Sequence, residues 1–243
     1  MKLGEDIKFP TLGETNSTKL LCSKIQINER ANVLVASVNL KDSVVYIAKN
    51  FRCNVYGIHE LPYIVMSAKS EVASAGLEES VKIKLMSPIS LDFKDETFDL
   101  IISEGILSQY KKSKVLKEFR RVLKNDSFIG IADFYWKKTP VPTYVKDAWY
   151  VEGGSIETLE EKLKIFKEYG FEPILFEDIS DELAKYYSKF RNIIKTTLKE
   201  WRFTKDEFKD VKKFKHEVSV FLEQGGDKWM GYVAIVAKKR ENL

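Results

Sequence analysis

The sequence predicts an α/β fold built on a doubly wound, largely parallel sheet, and three observations carry that reading. Short continuous apolar runs such as Val33-Leu34-Val35 and Phe98 to Ser103 have the composition of strands buried on both faces of a parallel sheet. Between such runs lie amphipathic stretches. The clearest is Val115, Leu116, Phe119, Val122 and Leu123, whose spacing gathers the apolar side chains on one helical face. The two patterns alternate through five strands, the order that places a sheet between two helical layers.

Taken in order, Thr11 to Ile25 predicts a first helix, with Thr11 and Glu14 at capping-box spacing. Residues 33–35 give the first strand, Val44, Val45 and Ala48 the inner face of the next helix, and Val55 to Ile58 the second strand. A helix starts at Leu61, with Pro62 in its first turn where a missing N–H costs nothing, and stops near Gly76. Val81 to Met86, Phe98 to Ser103 and Ser127 to Phe134 supply strands three to five. Asn125-Asp126 turns the chain before the fifth, Asn tolerating a left-handed backbone. Lys137 to Gly154 holds Pro140, Pro142, Tyr144, Trp149 and Tyr150 and reads as an ordered loop. Thr158 and Glu161 repeat the capping-box spacing before a helix that ends at Gly170, and Pro173 to Glu177 form a sixth strand. Ser180 caps a long helix whose stripe runs from Leu183 through Tyr187, Phe190, Thr197 and Leu198 to Trp201. Charged helical segments continue to Glu223, and Gly231 to Lys238 make the last strand. No repeat or flexible linker interrupts the chain, so residues 1–243 are expected to form one domain with a helical insertion at about 178–228.

At 243 residues and 44% apolar, the chain has ample material for a large core and is not of disordered composition. Its net charge of +4 balances 40 basic against 36 acidic residues, so the surface is dense in both signs. Lys111, Lys112, Lys114, Lys117, Arg120, Arg121 and Lys124 gather on one helix, but Glu118 interrupts them and no aromatics interleave. A solvated face explains such a run, and no nucleic-acid partner is expected. Cys22, Cys53, His59 and His216 lack any metal-ligand spacing, so no metal is expected either. No run reaches bilayer length and MKLGEDIKFP lacks a signal-peptide core, which predicts a cytoplasmic protein without membrane association.

In a doubly wound sheet the ligand crevice lies beyond the C-terminal ends of the central strands. Ser37 to Asp42, His59 and Glu60, Ser87 and Pro88, and Glu104 and Gly105 fall there. Several of these segments, in this order, resemble the class I S-adenosylmethionine-dependent methyltransferases of the small-molecule type. Phe93 to Ser103, FKDETFDLIIS, is similar to that family's approach to its fourth strand. Glu104-Gly105, LKEFRRVL over 116–123, Asp133 with Trp136, Tyr169-Gly170-Phe171 and Gly231-Tyr232 fit the later parts of the same pattern. The resemblance runs from about Thr11 to Lys239. It implies a Rossmann-like sheet of about seven strands with the last inserted antiparallel, S-adenosylmethionine as cofactor, no metal, and a small-molecule methyl acceptor.

The resemblance also assigns positions. The family's first loop reads acidic residue, apolar, Gly, any, Gly, any, Gly; Val35 to Lys41 stand there, with Ser37, Asn39 and Lys41 in place of the glycines. Those glycines normally reach positive φ and let the backbone approach the cofactor. Asn39 tolerates a left-handed backbone, Ser37 is small, and Lys41 either pairs with the methionine carboxylate or fills the site. His59 holds the place of the acid that accepts the ribose hydroxyls, with Glu60 one residue on, and Ser87 that of the acid near the adenine amine. Glu104 is the candidate base or substrate-positioning group, the alternative being a cap for the next helix. Tyr110, Tyr144 and Trp149 either wall a substrate pocket or simply pack. Two functional readings result: a methyltransferase with an unusual cofactor pocket, or a catalytically inactive relative serving as a binding or regulatory subunit. The stripe from Leu183 to Trp201 either covers the crevice or docks on a second subunit or protein partner.

Overall fold

In the computed structural model, which describes residues 12, 15–196 and 205–241, seven strands form one sheet. They are β1 (Asn32–Ser37), β2 (Asn54–His59), β3 (Val81–Leu85), β4 (Phe98–Glu104), β5 (Leu123–Trp136), β6 (Phe171–Asp178) and β7 (Met230–Lys239), in the spatial order β3-β2-β1-β4-β5-β7-β6. The first five pair in parallel, and β7 runs antiparallel between β5 and β6, as the resemblance implies. Eight α-helices are described: α1 (Asn16–Ser23), α2 (Leu40–Phe51), α3 (Pro62–Ser74), α4 (Lys112–Val122), α5 (Thr143–Ala148), α6 (Leu159–Glu168), α7 (Ser180–Thr196) and α8 (Lys205–Glu223). None of them is long and apolar enough to cross a membrane.

Strand side chains alternate between two cores. Val33 and Val35 of β1 face one core with α1, α2, α3, α7 and α8, while Leu34 and Ala36 face the other with α4 and α6. Both sets are buried, which is why the strand reads as an unbroken apolar run. Close packing is sharpest at Gly57 of β2, where an added Cβ would lie 2.7 Å from Ile83 Cδ1 and 3.0 Å from Leu40 and Val44 of α2. The expected box at α6 forms: Thr158 Oγ1 accepts the Glu161 N–H at 3.3 Å, and Glu161 Oε2 accepts the Thr158 N–H at 2.9 Å.

Several expectations need correction. The first helix begins at Asn16, and the Thr11/Glu14 box lies outside the described residues. Residues 137–154 are not all loop, because Thr143 to Ala148 form α5 behind Pro142. β5 starts at Leu123, since Phe98 pairs with it, and Asp126 rather than Asn125 takes the left-handed backbone (φ 59°). At α7 the capping acceptor is Asp178, whose Oδ1 receives the Ser180 N–H at 2.8 Å, so Ser180 is already helical. α7 is described to Thr196, with Leu183, Tyr187 and Phe190 buried as predicted; Thr197, Leu198 and Trp201 lie outside the described residues.

Candidate functional site

The β1 register sets the centre of the site, because Ser37 pairs with Glu104 at the C-terminal ends of neighbouring strands. Between Ser37 and Leu40 only Val38 and Asn39 make the turn. Val38 N–H donates to the Glu104 carbonyl at 3.0 Å and Asn39 N–H to Ser37 Oγ at 2.9 Å. The Asn39 carbonyl takes the N–H groups of Asp42 and Ser43, both at 3.1 Å, and starts α2. Asn39 itself has φ −104° and is the N-cap, so the left-handed backbone it could tolerate is not used; its Nδ2 donates to the Leu12 carbonyl. Among the described residues positive φ falls nowhere in this turn. The loop therefore has a conformation that needs no glycine, and the special backbone sits across from it at Gly105 (φ 68°). There an added Cβ would lie 3.0 Å from the Val38 side chain.

Glu104, the expected base, is turned into the interior and fully buried. Its Oε1 accepts Ser17 Oγ at 2.6 Å and Thr18 Oγ1 at 2.9 Å, both from α1. Its Oε2 accepts Ser37 Oγ at 3.0 Å and Ser43 Oγ at 2.6 Å, from β1 and α2. Two donors on each oxygen saturate the carboxylate. It ties α1, β1, α2 and β4 together and places a negative group by the N-terminus of α2, where the helix dipole favours it. A base must reach a substrate proton, so the sealed carboxylate corrects the catalytic assignment: in this structure Glu104 holds the site's frame. The same charge, after burial itself, raises the buried Cys22 thiol to about 12. One residue earlier, Ser103 Oγ is buried with no hydrogen-bond partner beside the β1 register position of Ala36.

A second cluster forms at the ends of β2 and β3. His59 is buried, its Nδ1 accepts the Leu61 N–H at 3.0 Å, and burial lowers its pKa against the opposing pull of Glu60, so it is neutral. Glu60 is exposed and its Oε2 accepts Ser87 Oγ at 3.1 Å; it also acts on the nearby Tyr110 hydroxyl, whose pKa is raised first by burial and then by Glu60. Tyr110 thus belongs to this cluster rather than to the substrate wall expected of it. Lys41 is half-buried in the first turn of α2.

Beyond the end of β5 a cavity of about 430 Å³ opens, walled by Trp136, Val141, Trp149 and Tyr150, with Lys146 and Ser155 among its polar residues. Trp149 lines this cavity and is itself buried. Tyr144 is not: it is exposed, and its hydroxyl donates to the Gln224 carbonyl at 3.0 Å. The cavity's far wall is locked by pairs that sequence reading misses. Lys112 Nζ bonds Ser155 Oγ at 2.9 Å and pairs with Glu157 at 2.9 Å, and burial lowers its pKa against the pull of Glu157. Lys162, wholly buried, stands 3.6 Å from Asp133, whose Oδ2 accepts the Ser108 N–H at 2.8 Å. The backbone at Gly154 lies against the loop after β4, where an added Cβ would collide with the Ser108 carbonyl. The loop lining the cavity and the loop leaving β4 are thus one packed unit.

With this geometry in place, comparisons with known proteins identify the architecture. Residues 42–131 match the model of a methyltransferase domain. An uncharacterised protein of Haemophilus influenzae is 26% identical over 120 residues, 48% of this chain and 48% of its own length, so the chain spans about half of that relative. Phosphoethanolamine N-methyltransferase of Plasmodium falciparum is 25% identical over 222 residues, 88% of this chain and 77% of that protein. In structure, phosphoethanolamine N-methyltransferase 2 of Haemonchus contortus, solved with S-adenosyl-L-methionine, superposes with a TM-score of 0.76 at 16% identity. That superposition covers 98% of this chain and 55% of the other.

Proposed function

We propose, from the premise that this chain is a class I S-adenosylmethionine-dependent methyltransferase-family protein, that its crevice binds S-adenosylmethionine and serves methyl transfer to a small molecule. The observation that carries this reading is the exposed Glu60 carboxylate at the end of β2, one residue beyond the position the family pattern assigns to an acid. A carboxylate there can accept both ribose hydroxyls, while neutral His59 is anchored beneath it through Nδ1. The orphaned Ser103 hydroxyl near the C-terminal end of β4 adds support for a ligand at the strand ends, since buried polar atoms ordinarily find a partner. The glycine-free turn is compatible as well, because its backbone keeps ordinary dihedrals.

In this reading Glu60, with Ser87 and Tyr110 beside it, holds the nucleoside end. Lys41 and the N-terminus of α2 face the methionine carboxylate, where a cation and free helix N–H groups suit an anion. S-adenosylmethionine, when bound, supplies a methyl group on a sulfonium sulfur. The chain's own part is alignment and exclusion of water, which account for much of the rate in such transfers. Glu104 acts indirectly, by fixing the turn that carries Asn39 and Lys41. The acceptor lies in the cavity at the end of β5, and Trp149 is one of its walls. That P. falciparum and H. contortus relatives are phosphoethanolamine N-methyltransferases supports a small-molecule acceptor rather than a macromolecule.

The discriminating experiment is a binding titration of S-adenosylhomocysteine against the native chain and Glu60→Ala. Loss of the carboxylate is expected to weaken binding at least tenfold. Equal affinity in the two proteins would remove Glu60 from the site and with it the main support for this reading.

A further inference from the structure

We infer that the 430 Å³ cavity beyond β5 takes an acceptor with a flat apolar body and one anionic group, and that Lys146 selects the anion. The inference rests on the proposed function only in calling the ligand an acceptor; the binding preference comes from the cavity alone.

The volume lies within the range of pockets that bury a small organic molecule, roughly 300–1,000 Å³. Trp136, Trp149 and Tyr150 give it aromatic walls, suited to a planar or unsaturated body. Three aromatic walls are also how proteins hold quaternary ammonium groups, so charge has to decide. Lys146 is exposed at the cavity and belongs to its lining. A second cation stands at the same rim, where Lys213 of α8 donates to the Tyr150 carbonyl at 3.0 Å. No aspartate or glutamate is among the described residues that line the cavity. A cationic ligand would therefore enter a partly desolvated space without a counter-ion and beside like charge, whereas an anion gains a partner. The other polar side chains of the lining, Thr139, Tyr150 and Ser155, carry hydroxyls and no cation, and Ser155 Oγ is committed: it donates to Glu157 at 2.7 Å and accepts from Lys112 at 2.9 Å. Lys146 is thus the group left to read the ligand's charge.

A matched pair of probes tests this: 2-naphthoate and 2-naphthylmethylammonium share a body and differ in the sign of charge. Calorimetric titrations of the full chain, with and without saturating S-adenosylhomocysteine, should show 2-naphthoate binding at least tenfold more tightly than the ammonium probe. Lys146→Met should erase that preference, while Lys49→Met, at the far end of α2, should leave it intact. Equal or tighter binding of the ammonium probe, or a preference unmoved in Lys146→Met, would overturn the inference. Naphthoate binding in a protein that is silent to S-adenosylhomocysteine would keep the inference and defeat the proposed function. The reverse pattern would defeat the inference alone.

Discussion

At the scale of single residues, the carboxylate of Glu104 decides how the site is held. Four hydroxyl donors from three elements converge on it, and none belongs to its own strand. Removing the side chain leaves those hydroxyls in a dry interior, but some can re-pair. Thr18 Oγ1 lies 3.2 Å from Ser43 Oγ, and Ser43 Oγ lies 3.2 Å from the Asn39 carbonyl. With about two groups left unsatisfied, Glu104→Ala is expected to cost about 2–4 kcal/mol of unfolding free energy, measured by chemical denaturation. A variant of native stability that nonetheless loses activity would restore Glu104 to the chemistry. The identity of Glu104 was legible in the sequence because it ends an apolar strand. Its role was not, because Ser17 and Thr18 stand far from it along the chain and only the fold brings them near. Asn39 was not legible for a related reason: it caps α2 through its backbone carbonyl, while its side chain reaches back to the Leu12 carbonyl, a contact distant along the chain.

At the scale of elements, α5, α7 and α8 meet behind the cavity through one chain of polar contacts. Trp149 Nε1 donates to the Tyr187 hydroxyl at 2.7 Å, and that hydroxyl faces Glu217 Oε2 at 3.4 Å. Burial raises Glu217 from its ordinary 4.5 to about 7, opposed by the Lys213 charge and the Tyr187 bond. The folded protein therefore binds this proton more tightly than the unfolded chain does. Its cost to stability is absent below about pH 4.5, grows as pH rises towards about 7, and is constant above that. Glu217→Gln keeps an oxygen for Tyr187 and removes the titration. Its stability advantage over the native chain is expected to widen between about pH 4.5 and 7 in denaturation curves. An advantage independent of pH would show that Glu217 is charged and solvated in the fold. Helix α7 was readable from its apolar stripe, and α8 as charged helical segments that the structure joins into one helix. α5 was not, since six residues behind two prolines carry too little periodicity to separate a short helix from a loop.

At the scale of the whole molecule, the sheet was legible because every central strand is buried on both faces and reads as an apolar run. Half of the site was legible for the same reason: strand ends in a doubly wound sheet mark the crevice wherever they fall. The other half depends on pairs that no local pattern announces. Lys112 with Glu157 and Lys162 with Asp133 fix the loops around the cavity across long sequence separations. Nothing in the sequence sets Lys146 apart from the other lysines. The comparisons match residues 42–131 to a methyltransferase domain and show the fold, while fold alone leaves the activity to the site. The central claim is that a turn without glycines, framed by a sealed Glu104, still presents a working cofactor crevice. Calorimetric titration of the native chain with S-adenosylmethionine tests it most directly. Saturable one-to-one binding with a micromolar Kd is the predicted result, and silence up to millimolar cofactor would contradict it.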